Sequence, residues 1–295
     1  LVDSQELTIG RVNVFRADLL KDKVIVVTGG GTGLGKAMAL RFAELGARLV
    51  LTSRSLEHLE PTAAEIRAKG AQALVATADV RKFDEVEAMV KAAVARFGRI
   101  DALVNNAAGN FLCPTEDLSP GGFAAVVGIV LQGTFHATLA CGRQMIAQGT
   151  GGSLLSIVAT YVETGSAYVV PSACAKSGVL ALTRSLAVEW AKYKIRSNAI
   201  APGPFPTEGA WSRLAPPGFD MEARKTRIPA RRFGEPIELA NLATYLLADE
   251  SAYVTGDCIT IDGAESLMAG QFNELTTFDP TVMGQVMKAM RPEKK

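Results

Sequence analysis

Five glycines fall within eight residues in Thr28-Gly29-Gly30-Gly31-Thr32-Gly33-Leu34-Gly35, between the apolar stretch Val24–Thr28 and the helical pattern Leu34–Leu45. Glycines at a strand-to-helix turn let the backbone approach an anionic ligand, and the free N–H groups at the helix start favour a pyrophosphate there. Gly29, Gly31, Thr32, Gly33, Leu34 and Gly35 are therefore candidate cofactor contacts. A flexible turn is the bland alternative, and the strand–turn–helix placement weighs against it. The next strand ends in Leu51-Thr52-Ser53-Arg54. An acidic residue there would bind an adenosine ribose and repel a 2′-phosphate. Arg54 instead offers charge-assisted donors to that phosphate, with Ser53 or Thr52 as neutral ones, so NADPH is the expected cofactor. A solvated surface cation is the competing reading of Arg54, and the simpler one for Lys36.

Further along, Asp79-Val80 closes a third strand and would border the adenine. Asn105-Asn106-Ala107-Ala108-Gly109-Asn110 closes a fourth. Its small residues suit close packing on a cofactor, which makes Asn106, Ala107 and Gly109 candidates. Asn105 or Asn106 alternatively satisfies backbone groups between strands.

These residues need a sheet that brings strand ends together. Strands are expected at Val24–Thr28, Arg48–Thr52, Ala73–Ala78, Ala102–Val104, Gly152–Ile157, Ser197–Ile200 and Cys258–Ile261. Helices are expected at Leu56–Lys69, Arg81–Phe97, Phe123–Met145 and Gly178–Trp190, besides Leu34–Leu45. Short strands alternating with helices imply right-handed crossovers. The expected fold class is α/β: a Rossmann-like, doubly wound, seven-stranded parallel sheet with helices on both faces. Residues 1–20 read as an extension and 21–295 as one dinucleotide-binding catalytic domain. Within it, the proline-rich stretch of about 204–230 forms a substrate-side lobe and about 264–295 a tail.

Composition excludes several functions. With 31 basic and 30 acidic residues, nothing global attracts nucleic acid or anionic membrane. His58 and His136, the only histidines, lack ligand spacing, so zinc and other metals are not expected. Cys113, Cys141, Cys174 and Cys258 stand far apart and read as buried thiols. No run of 18 apolar residues and no secretory signal is visible, which makes the expected location cytoplasmic in a bacterium and otherwise the mitochondrial matrix.

The combination of TGGGTGLG at 28–35, DV at 79–80, NNAAG at 105–109, a helical lysine at 176 and PGP at 202–204 resembles the short-chain dehydrogenase/reductase family from about Lys21 to Gly263. That family's usual chemistry uses a tyrosine four residues before the lysine, a serine about 13 residues before the tyrosine, and an asparagine in the preceding long helix. Here those places hold Ser172, Ala159 and Val130. A serine hydroxyl is far less acidic than a phenol, so an ordinary ketone reductase is not expected.

The segments NNAAGNFLCPTEDLSP, ATYVETGSAYVVPSACAKSGVLALTRSLAVEW, NAIAPGPFPTEG and GQFNELTTF resemble the 2,4-dienoyl-CoA reductases, the mitochondrial form above all. This resemblance implies that Tyr161 and Asn110 bind the substrate's thioester carbonyl and that Ser172 and Lys176 complete the site. It implies NADPH-dependent reduction of a dienoyl-CoA to a trans-3-enoyl-CoA by a homotetramer. Pro202, Gly203, Phe205 and Thr207 become cofactor-side candidates, as in comparable family loops. Phe205 and Trp211 are also candidates to wall the acyl chain. Lys225, Arg227, Arg231 and Arg232 are candidates for coenzyme A phosphates. Tyr168 is the rival of Tyr161, being nearer Lys176 in sequence. The alternatives are a trans-2-enoyl-CoA or other enoyl-thioester reductase and a nonenzymatic NADP(H) sensor.

Overall fold

The computed structural model describes residues 15–207, 218 and 220–291. Seven parallel strands run in the order β3-β2-β1-β4-β5-β6-β7: β1 (Val24–Thr28), β2 (Arg48–Thr52), β3 (Ala73–Val75), β4 (Ala102–Asn105), β5 (Gly152–Ile157), β6 (Ile195–Pro202) and β7 (Cys258–Ile261). The order reverses direction beside β1, where β2 lies on one side and β4 on the other. Such a reversal is where sheets of this kind take a ligand, beyond the carboxyl ends of the strands.

The near-continuous apolar strands follow from burial on both faces. On one face, α1 (Gly33–Glu44), α2 (Leu56–Ala68) and α8 (Pro236–Leu247) pack on Ile25, Val27, Leu49 and Leu51. On the other, α3 (Phe83–Phe97), α5 (Gly133–Gln148) and the end of α6 (Val170–Glu189) cover Val24, Val26, Val50 and Leu103. The alternation of Val24 and Val26 with Ile25 and Val27 is the two-residue period of the pleat. α4 (Pro120–Val127) runs into α5 through a wide π-helical turn, Gly128–Gln132. Short helices α7 (Met221–Thr226) and α9 (Pro280–Ala289) complete the described chain.

The expected strands all form, but several boundaries move. β3 stops at Val75 instead of Ala78, although Ala76 and Ala78 still donate to Leu51 and Ser53 of the β2 side. Those alternate bonds persist without a regular ladder, so the segment remains beside β2. The helix expected from Gly178 begins at Val170, because Pro171 is tolerated in a first helical turn, where the N–H groups lack intrahelical partners. The helix expected over Phe123–Met145 spans Pro120–Gln148, interrupted by the π turn. Among the described residues it is also the one helix long and apolar enough to cross a membrane, yet its Ala137, Cys141 and Met145 pack against the sheet. The reading of four buried thiols holds for Cys141 alone, since Cys174 is exposed and Cys113 and Cys258 are partly so.

Candidate active site

Thr28, at the end of β1, organises the cofactor crevice. Its hydroxyl donates to the Val104 carbonyl at 3.2 Å and accepts from the Asn106 and Ala107 N–H groups, each at 3.0 Å. The Asn106 carboxamide donates to the Thr28 and Gly29 carbonyls at 3.0 and 3.2 Å, fixing the turn from the β4 side. Asn106 thus acts through its hold on the glycine turn, the backbone-satisfying alternative, and Asn105 donates to the Thr138 hydroxyl at 2.9 Å. A Cβ at Gly35 would lie 2.1 Å from the Gly29 carbonyl oxygen, so only glycine lets the helix start so close to the turn. Gly33 has φ +53°, and a Cβ there would stand 3.5 Å from the Thr207 side chain. Thr207 therefore closes over the amino end of α1.

This cradle fits a dinucleotide pyrophosphate. The turn is too tight for side chains, the helix start points its N–H groups outward, and the exposed Thr32 hydroxyl makes no capping bond. Leu34 packs partly into the core, and Gly31 touches the first turn of α2. Ala107 lies against Gly29, while Gly109 faces Ile129.

At the adenine end, Arg54 is exposed and has no hydrogen-bond or ion-pair partner among the described residues. Lys36, by contrast, pairs with Glu65 at 2.7 Å. Asp79 accepts a forked pair of bonds from Arg81, with Nε 3.0 Å from both carboxylate oxygens. That guanidinium holds the carboxyl well below its usual range, at about 2. The Val80 carbonyl meets His136 Nδ1 at 2.9 Å, and its side chain abuts Gly133, so Val80 is a wall residue.

The second cluster lies on the next strands. β4 and β5 are paired with Asn105 opposite Ser156, and Asn110 and Tyr161 each follow five residues later on the neighbouring strand-end loops. A bond from Cys113 N–H to the Tyr168 carbonyl, 2.9 Å, ties those loops together. Tyr161 sits in a short helical turn, Thr160–Val162, whose Val162 carbonyl accepts from the Ser177 hydroxyl of α6 at 2.9 Å. The result is a 2.9 Å hydrogen bond between Tyr161 Oη and Ser172 Oγ. Burial pushes the Tyr161 phenol upward, and the Ser172 bond only partly opposes it. Lys176 is one helical turn after Ser172 and donates to the Ile157 carbonyl. Burial pushes its ammonium down to about 8. Asn110 Oδ1 accepts from Phe111 N–H at 2.9 Å, and its carboxamide nitrogen has no hydrogen-bond partner among the described residues.

Several expectations change. Tyr168, the rival tyrosine, is 59% exposed and takes no part in the Ser172–Lys176 cluster. The Phe205 ring is largely buried against Gly234 and lines a small cavity with Pro204, Ala230 and Ile261. Pro202 ends β6, and Gly203 bonds the Ile261 carbonyl at 2.9 Å with no room for a side chain beside Asp262. In the basic patch, Lys225 pairs with Glu222, Arg232 with Glu238, and Arg231 with the Thr226 and Thr276 carbonyls. Trp211 lies outside the described residues. Sequence reasoning missed Thr28, Ser177 and Arg81. Thr28 carried a signal as the first residue of the glycine motif, and Arg81 as a cation two residues from a strand-end aspartate.

Residues 29–264 match the family model described as enoyl-(acyl carrier protein) reductase. A probable 2,4-dienoyl-CoA reductase of Bacillus subtilis, named as (2E)-enoyl-CoA-producing, is 48% identical over 84% of this chain and 98% of its own length. The chain belongs to the short-chain dehydrogenase/reductase family. It is therefore an oxidoreductase with a nicotinamide cofactor. A short-chain dehydrogenase structure from Bacillus anthracis shares the fold with a TM-score of 0.77 and 46% identity, over 85% of this chain and 99% of that one. Probable 2,4-dienoyl-CoA reductase 3 of Caenorhabditis elegans, named as (3E)-enoyl-CoA-producing, is 41% identical over 94% of this chain and 92% of its own. An Arabidopsis thaliana relative, 38% identical over 84% and 86%, is named a peroxisomal 2,4-dienoyl-CoA reductase, which runs against the mitochondrial alternative for location. Within this short-chain dehydrogenase/reductase, Val130 falls in the π turn and is buried with Val126 and Ala175, and Ala159 is buried at the end of β5. Apolar burial at both places removes two polar groups of the family's usual site.

Proposed function

We propose that this chain reduces 2,4-dienoyl-CoA thioesters with NADPH, releasing trans-3-enoyl-CoA. The observation that carries this reading is the Tyr161–Ser172 hydrogen bond one turn from Lys176, which supplies a protonated phenol away from the place where the family's tyrosine usually stands. A phenol kept protonated by burial is a donor, and Asn110 adds a second on the neighbouring loop.

A conjugated dienoyl thioester needs such donors more than a strong acid. The nicotinamide, when bound, supplies the hydride that enters the distal end of the diene. The electron pair displaced through the conjugated system collects on the thioester oxygen, where Tyr161 O–H and Asn110 N–H stabilise it. As Tyr161 turns its proton to that oxygen, Ser172 O–H donates to Tyr161 Oη and keeps the phenol in place. Lys176 would hold the nicotinamide ribose hydroxyls and add positive potential next to the developing charge. Water then protonates the α-carbon, which completes the 3-enoyl product.

The Bacillus subtilis relative's name favours a second reading, in which the proton enters at C4 and a 2-enoyl thioester leaves. Purified protein given NADPH with a 2,4-dienoyl-CoA, a 2-enoyl-CoA and a simple ketone separates these readings. NADPH consumption with the dienoyl thioester alone, and an olefinic NMR spectrum of a 3-enoyl product, is the expected result. A 2-enoyl product supports the second reading, and preference for the ketone overturns both.

A further inference from the structure

We propose that Arg81 is a positioning residue for cofactor choice: by engaging Asp79 it leaves Arg54 to the adenosine 2′-phosphate and so sustains preference for NADPH. The inference rests on the NADPH reading above. Ala78 N–H donates to the Ser53 carbonyl at 3.0 Å, so the segment after β3 runs beside the end of β2. Asp79 and Arg54 each follow that bond by one residue. The two charges sense each other, because Arg54 helps to lower the Asp79 carboxyl.

Left alone, an Asp79 carboxylate beside this position would do two things. It would repel a bound phosphate, and it would compete with that phosphate for the Arg54 guanidinium. Arg81 prevents both. Its Nε meets both Asp79 oxygens at 3.0 Å and its backbone N–H bonds Oδ1 at 3.0 Å. The Arg81 stem passes Gly128, where a Cβ would lie 3.8 Å from Arg81 Cδ, an ordinary contact. The neighbouring charges Lys82 and Glu85 pair with each other at 2.7 Å, and Glu85 also accepts from Asp79 N–H at 2.8 Å. Asp79 remains an acceptor for an adenine amino group, a contact common to NADPH and NADH, so the effect of Arg81 belongs in the ratio of their affinities.

The test is fluorescence titration of NADPH and NADH with the purified full chain, without acyl-CoA, so that any contact of Arg81 with substrate cannot enter. Arg81→Met is expected to lower the preference for NADPH about tenfold, through the NADPH arm. The Asp79→Asn/Arg81→Met double variant is expected to regain most of it, a rescue that a merely structural role would not give. Unchanged preference in Arg81→Met, equal weakening of both nucleotides, or no rescue overturns the proposal. Should Arg81→Met not fold, Asp79→Asn alone is read: preference at or above wild type upholds the proposal and a loss overturns it. A wild type without preference, or Arg54→Met with undiminished preference, overturns the NADPH reading itself.

Discussion

Burial moves the two titrating groups of the active-site cluster in opposite directions, and the Tyr161 outcome is the one that serves an oxyanion. It disfavours the charged form in each case, so Tyr161 stays a neutral donor while Lys176 is pushed down to about 8. Replacing Tyr161 by Phe is expected to cost about 100- to 1,000-fold in kcat with dienoyl-CoA, as loss of an oxyanion donor does, and Asn110→Ala a similar amount. Steady-state NADPH oxidation measures both. Lys176 is still charged at neutral pH and loses its proton as pH rises through about 8, so kcat/KM is expected to fall along that limb. Lys176→Arg, whose guanidinium does not titrate, is expected to remove the limb in a rate–pH profile. At this scale the glycines, Arg54 and Asn110 were legible from residue type and motif. The Tyr161–Ser172 contact was not, since eleven residues and a reversal of direction separate the pair.

The elements were readable where periodicity is strong. β1 and β2 are continuous apolar runs and form over the expected residues. α8 escaped notice because its apolar residues, five of them buried, have no contrasting charged face. The start of α6 was missed because Pro171 reads as a helix breaker, although at a first turn it costs no hydrogen bond. The π turn has no compositional signature, and it is the packing of Val126 and Val130 against Ala175 and Val179 that reveals its place. The contact between α1 and the glycine turn gives the sharpest element-level test. Gly35→Ala places a methyl 2.1 Å from a backbone oxygen that cannot swing away, so α1 must move. The expected cost is about 1–3 kcal/mol of stability, read from the urea midpoint, together with weaker NADPH binding.

For the whole molecule, the sheet order places the Arg54–Asp79 end on β2 and β3 and the Tyr161–Asn110 end on β4 and β5, with the glycine turn of β1 between them. A dinucleotide lying across those strand ends would span both clusters, and the thioester would meet the second. We propose a homotetramer, supported by exposed apolar side chains on the long central helices: Phe123, Phe135 and, at 82%, Val188. Light scattering is expected to give four chains, and Val188→Arg to reduce that number. The central claim concerns where one oxygen goes. A crystal structure with oxidised NADP and a dienoyl-CoA tests it most directly: the account predicts the thioester oxygen within hydrogen-bond distance of Tyr161 Oη and Asn110 Nδ2. An oxygen turned away from both groups would contradict it.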